Sequence, residues 1–271
     1  MATETFPGNV GEIRAASTAG GGTSLSTTLA TIGLPEGTRW ISLTPRNFVT
    51  GVVCQFAFNP YLLIIKTNDA LVANLTEFSS EAQDADLATD VVLSSLDTAA
   101  NNDFLYVGSH EQFRGVVIDV DAANGTSSIL TVRYWNGSSW TDISDLDGTI
   151  DTGKTMAVDG NVTWTVPSDW VADSLVGIGD ALSAIGENVG VERLYWTRWE
   201  FSVVLDSSVT LNSMRSLNRS TAYAELLSGQ VFEETISRGH LGIGCVEALM
   251  NAGTGNLVVN VATRFTGQRF I

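Results

Sequence analysis

Residues 127–144 read SSILTVRYWNGSSWTDIS. Two runs rich in β-branched and aromatic residues, 127–135 and 139–144, flank Asn136-Gly137. Asn-Gly supplies the positive φ that a tight hairpin needs. Neighbours on a strand point to opposite faces, so Tyr134 and Trp135 lie on different sides and only one of them shares a side with Trp140. Runs of the same kind surround the hairpin: DFLYVGS (103–109), FRGVVIDVD (113–121), NVTWTVP (161–167) and RLYWTRWEFSVVLD (193–206). They are bounded by NGT, NGSS, LDGT and VDGN turn signals. Short strands with frequent turns predict a mainly β fold, an antiparallel β-sandwich or jelly-roll-like module over about 103–206. In the last run Tyr195, Thr197, Trp199, Phe201 and Val203 fall on one face, and Leu194, Trp196, Arg198 and Glu200 on the other. The segment 168–185 allows one helical turn opened by Ser168 and Asp169.

The flanks differ in character. AASTAGGGTSLSTT (15–28) is too small and polar to bury much, so 1–36 reads as a flexible N-terminal arm, with order beginning near 37–45. FVTGVVCQFAF (48–58) and YLLIIKT (61–67), separated by Asn59-Pro60, are apolar on both faces and read as buried strands. The acidic, turn-rich stretch 74–103 reads as a connector with one short strand near Asp90–Ser94. In 207–230 helix and strand both remain open, while 240–250 and 256–265 read as strands about a Gly-Thr-Gly turn. The expected organisation is a β-rich docking and self-association domain, 37–102 with 207–271, that carries the Trp-rich sandwich of 103–206 as an insertion or packed upon it. A single elongated domain fits the pattern nearly as well.

Composition limits the function. A formal charge of −16, with Lys only at 66 and 154 and no Lys or Arg between Thr67 and Phe113, repels phosphate backbones and argues against direct nucleic-acid binding. Cys54 and Cys245 are too few for a disulfide framework and read as buried thiols of a chain made in a reducing cytoplasm. No stretch approaches the ~20 apolar residues of a membrane span, and MATETFPGNVGEIR lacks the features of a signal peptide, so the expectation is a soluble protein without a membrane partner.

Chemistry-bearing motifs are sparse. His110 and His240 have no metal-ligand partner at local spacing. There is no G-x-S-x-G elbow, and GIGD and GTGN lack the lysine and setting of a phosphate cradle. The expectation is no catalytic residue, no cofactor and no metal. The turns 119–125 (Asp119, Asp121, Asn124) and 145–151 (Asp145, Asp147, Asp151) carry oxygens of the kind Ca²⁺ uses, but neither has a closing bidentate Glu, and both read better as solvated turns. The candidates for contact are aromatic: Trp135, Trp140, Trp170 and Trp196. As a glycan site they would have to expose roughly coplanar faces; as structural residues they need only pair across strands.

One resemblance is carried by LYVGSHEQFRGVVIDVDAANGTSSILTVRYWNGSSWTDIS, by the Trp164, Val166, Pro167 and Trp170 of VTWTVPSDW, and by LYWTRWEFS. Over roughly 103–206 these are similar to a β-sandwich module of tailed-bacteriophage virion proteins. The resemblance implies a structural virion component with no catalytic residues. It does not fix the place in the particle. Low charge, few lysines, a small-residue arm and no active-site constellation suit a chain that works by forming contacts, so the expected role is a capsid decoration (cement) protein on the head surface, made in the host cytoplasm. The expected partners are the major capsid protein and further copies of itself in a homotrimer. A neck, tail or fibre component is the structural rival, and a module binding host glycans is the rival of another class.

Overall fold

The computed structural model describes residues 10–13, 22–34, 38, 40–67, 75–83, 88–178, 193–217, 224–235 and 243–262, the side chains of 10–13 excepted. The order begins β1 (Val10–Ile13), β2 (Thr23–Leu25), β3 (Ala30–Gly33), β4 (Trp40–Arg46), β5 (Cys54–Pro60). It continues β6 (Leu63–Lys66), β7 (Thr76–Glu77), β8 (Val91–Val92), β9 (Leu105–Ser109), β10 (Gly115–Ala122), β11 (Leu130–Trp135), β12 (Trp140–Asp142), β13 (Leu146–Asp147), β14 (Gly160–Thr163). Then come the helical turn α1 (Leu175–Ile178), β15 (Tyr195–Phe201), β16 (Thr210–Ser216), β17 (Ala224–Leu226), β18 (Phe232–Thr235), β19 (Ile243–Met250) and β20 (Gly255–Ala262). The fold is mainly β, built of antiparallel sheets packed in the manner of β-sandwiches. Among the described residues no helix is long and apolar enough to cross a membrane.

The chain forms two compact units, Met1–Asn59 with Arg219–Ile271, and Pro60–Asn218. The boundaries expected at 103 and 206 thus move outward. β6 pairs with β9 and β16 with β10, so the segments on either side of 103–206 are hydrogen-bonded into the sheets of the second unit. The stretch 74–103 is more than a connector: Phe78, Ala82, Val91, Leu93 and Leu96 are buried in that unit's core.

In the first unit one sheet has the order β1-β20-β4-β18, with β2 also on β20, and the other the order β17-β5-β19-β3. Leu43, Val259 and Val261 of the first sheet and Phe56, Val246 and Ala248 of the second are buried in a common core. The expected arm 1–36 is corrected here: β1, β2 and β3 are strands of this sandwich, and Leu25, Ile32 and Leu34 are buried in its core. The small residues between them obscure a pattern of only three apolar anchors. Residues 1–9, 14–21 and the C-terminal 263–271 lie outside the described residues. The open reading of 207–230 resolves as strand in β16 and β17, and the last two expected strands are β19 and β20.

Four connections between these sheets, 26–29, 47–53, 227–231 and 251–254, fall at one end of the unit. The registers require it, because Leu25 pairs with Gly255, Arg46 with Asn256, Leu226 with Cys54 and Ala30 with Ala248. The chain leaves the unit at the opposite end of β5.

In the second unit a six-stranded sheet, β12-β11-β15-β9-β6-β7, packs on a five-stranded sheet, β13-β14-β10-β16-β8. Val107, Val132, Trp199 and Phe201 from the former and Val116, Ile118, Leu211 and Met214 from the latter share one core. Two polar side chains hold the layers. Lys66 Nζ on β6 donates to Val92 O at 3.1 Å and Ser94 O at 2.9 Å; burial lowers its pKa, an effect the Asp103 carboxylate opposes. Asn124 donates to Thr126 O and Thr155 O and accepts from the Thr126 and Asp206 amides. The expected helical turn begins later than Ser168: Ser174 Oγ accepts from Gly177 N at 2.9 Å, so the cap is Ser174. Among the described residues the edge strands are short; β7, β8 and β13 have 2 residues each, β12 and β17 have 3, and β3 and β18 have 4.

A chain that starts at residue 37 lacks Leu25, Ile32 and Leu34, whose burial contributes about 1.5–3 kcal/mol each. Such a truncation is expected to remove the first unit's cooperative unfolding transition while leaving that of the second, as followed by calorimetry.

Candidate functional site

The hairpin of 134–140 forms as its sequence requires. Asn136 Oδ1 accepts from the amides of Ser138 and Ser139, each at 2.9 Å, and Gly137 takes φ +93°. Trp135 pairs directly with Trp140, so these two share the outer face of the six-stranded sheet while Tyr134 turns into the core. Tyr134 Oη donates to Asp169 Oδ1 at 2.9 Å.

The outer face is an aromatic–arginine arrangement. The Arg198 guanidinium lies 4.4 Å from the Phe104 ring centroid and 4.9 Å from that of Trp140. Glu200 bridges two cations: Oε1 accepts from Arg198 Nη2 at 2.7 Å, and Oε2 accepts from Arg133 Nε at 2.9 Å. A cation flanked by ring faces and held by a carboxylate is strongly oriented. Trp140 also meets Tyr106 at 5.9 Å and Trp135 at 5.7 Å between centroids, the indoles inclined at 62°.

The four candidate tryptophans therefore separate. Trp135 and Trp140 are half-buried and mutually tilted, without the coplanar faces a stacked sugar needs. Trp170 and Trp196 are 4% and 0% exposed, which corrects their reading as exposed contacts. Trp170 lies in the core, packed on Phe113 and Tyr134, and its Nε1 donates to Trp196 O at 3.2 Å. Trp196 lies across Gly108, where an added Cβ would stand 2.5 Å from the indole, so only glycine fits beneath the ring. The Trp164–Pro167–Trp170 stretch is likewise internal, with Trp164 Nε1 donating to Phe113 O at 2.8 Å.

Residues with chemical potential are engaged in structure. Cys54 and Cys245 are buried and unbridged, and burial pushes the Cys54 thiol up to about 11, so it holds no thiolate at neutral pH. Asp119 accepts from Asn212 Nδ2, Asp121 from Thr210 Oγ1, and Asp147 from Thr149 and Thr155. Asp145 Oδ1 accepts from the Val132 amide at 2.9 Å. Among the described residues no three His, Cys, Asp or Glu side chains are grouped to hold a metal ion; His240 lies outside them.

The feature that the motif search missed is the end of the first unit where its four connections gather. Two of them are tied to each other, since Val53 N donates to Asn251 Oδ1 at 2.9 Å and Asn251 N to Val53 O at 3.1 Å; the other two are tied to strands, Met250 N of β19 donating to Ser26 O at 2.7 Å and Gly229 N to Pro45 O of β4 at 2.8 Å. STTL, NFVTGVV, LSGQV and NAGT contain no Asp, Glu, Lys or Arg. Leu29, Val49, Leu227 and Val231, the exposed large hydrophobic residues described in this unit, all lie here, at 49%, 72%, 45% and 55% exposure. The missing charge is visible in the sequence, but only the strand registers bring segments two hundred residues apart to one place. Compared with protein-family models, with curated proteins and with solved structures, the chain matches none.

Two substitutions test this description. Glu200→Ala removes the carboxylate that Arg198 and Arg133 share and should cost about 1–3 kcal/mol in urea denaturation. Burial raises the pKa of Asp145, with Asp147 and Asp142 adding to the effect and the Val132 hydrogen bond opposing it. The folded state therefore binds this proton more tightly than the unfolded one, and stability falls as pH rises from the ordinary carboxylate pKa through the raised one. Asp145→Asn keeps an acceptor for the Val132 amide and loses the charge. The variant is expected to be the more stable at about pH 7, and its advantage should vanish below about pH 3, as compared in urea midpoints.

Proposed function

We propose that this chain is a structural protein of a tailed-phage virion, a decoration (cement) protein that binds the major capsid protein on the outside of the head and associates with its own copies as a homotrimer. The observation that carries this reading is the uncharged, apolar-tipped end of the first unit. Exposed apolar side chains gathered on one surface of a soluble chain mark a protein–protein contact. In a chain of net charge −16 such a surface is where a neighbour can approach without like-charge repulsion. The resemblance of 103–206 to virion modules points the same way, and so does the burial of Cys54, Cys245, Trp170 and Trp196 in packed interiors. In this role the protein makes and breaks no covalent bond: it adheres to a shell whose symmetry repeats the same contact many times.

Quantitative gel densitometry of purified particles tests the assignment. A copy number comparable with that of the major shell subunit is expected. A number as small as one ring of a neck or tail would replace decoration with the rival structural role, and absence from the particle would overturn both.

A further inference from the structure

We infer that the loop-bearing end of the first unit is the surface through which a second copy of this chain binds. The inference deepens the adhesive reading above and rests on it only for the biological setting; the contact itself is argued from this unit alone. Leu29, Val49, Leu227 and Val231 stand on four connections, of which 47–53 and 251–254 are hydrogen-bonded to each other while 26–29 is bonded to the end of β19 and 227–231 to β4, so all four are anchored to the sandwich before any partner arrives. A preset apolar surface loses little freedom on binding.

The charges at its rim select the occupant. Arg46, at the end of β4, is exposed on the side of one sheet, beside Asn256 in register. Glu225, in β17, is exposed on the side of the other sheet, one residue from the Leu226–Cys54 pair. Between them the connections carry no charge. In a cyclic assembly the rim of one sheet in each copy faces the rim of the other sheet in the next. Arg46 of one copy then meets Glu225 of its neighbour, and apolar tips meet apolar tips. A strongly acidic or basic partner would find no complementary field here, whereas an identical copy finds its own complement. Within the four connections themselves no charge opposes the approach of a second copy.

Sedimentation velocity of the whole chain over a range of concentrations tests the contact. The wild type is expected to form one discrete oligomer. Val49→Asp combined with Leu227→Asp is expected to weaken association by roughly tenfold or more. The variant should keep the wild-type circular dichroism spectrum, and Val49→Ser with Leu227→Ser serves if the aspartates disturb folding. Arg46→Glu is expected to weaken association, and Arg46→Glu with Glu225→Arg to restore it. A wild type that stays monomeric at the highest concentration overturns the proposal. Folded variants that associate as the wild type does, or a double swap that fails to restore what the single reversal lost, overturn it equally. These outcomes are independent of virion copy number, so the contact between copies and the decoration role fail separately.

Discussion

The pairing of β17 with β5 is the constraint from which the rest of the architecture follows. Phe56, Gln55 and Cys54 lie opposite Ala224, Glu225 and Leu226, and Gln55 Nε2 donates to the Glu225 carboxylate. The chain leaves its first sandwich after β5 and returns beside that strand, so the second sandwich occupies an interruption and the first is completed by distant segments. Closing so long a loop costs only modestly more entropy than closing a short one, since the cost grows with the logarithm of length. Leu226 and Phe56, both buried in the common core, supply the apolar burial that opposes this cost. The same antiparallel geometry sends the connections to the end opposite the departure, where they meet as a group.

Within the second sandwich, the six-stranded sheet places aromatic side chains on both of its faces. Trp199 and Phe201 fill the core between the layers, while Trp196 and Tyr106, on the other face, are also fully buried. Large indoles leave little room for error in such a sheet, which is why Gly108 is without a side chain under Trp196 and why Arg198 is fixed between Phe104 and Trp140. The tryptophans that attract notice in the sequence are for the most part mortar.

The strands of 103–206 were legible because alternation and Asn-Gly or Asp-Gly turns are local signals, and the hairpin at 134–140 depends on nothing distant. YLLIIKT was legible for the same reason: apolar residues at every position require burial on both faces, and Leu63–Lys66 are all buried. What escaped the sequence was set by pairing across long separations. Leu25, Ile32 and Leu34 are scattered among Gly, Ser and Thr; Leu25 and Ile32 become strand residues, and Leu34 is buried just beyond β3, only because β20 and β19 lie ready to receive them. Phe78 and Leu96 lie in an acidic stretch whose polar residues dominate any window average. Trp170 and Trp196 read as available for contact in the sequence because an aromatic residue near a turn carries no local sign of the packing that buries it. The apolar end of the first unit had no linear signature beyond four short uncharged segments.

The brevity of the edge strands bears on how the protein behaves when crowded. A long, flat, unpaired edge invites strand addition from another chain and starts fibrils. Here the outermost strands offer two to four residues each, and β18 also carries Glu233 and Glu234. Edge-to-edge strand addition therefore has only a short template at these described edges, and the acidic side chains on β18 oppose it further. Crowding such a β-rich polypeptide brings together few backbone edges on which a fibril could nucleate.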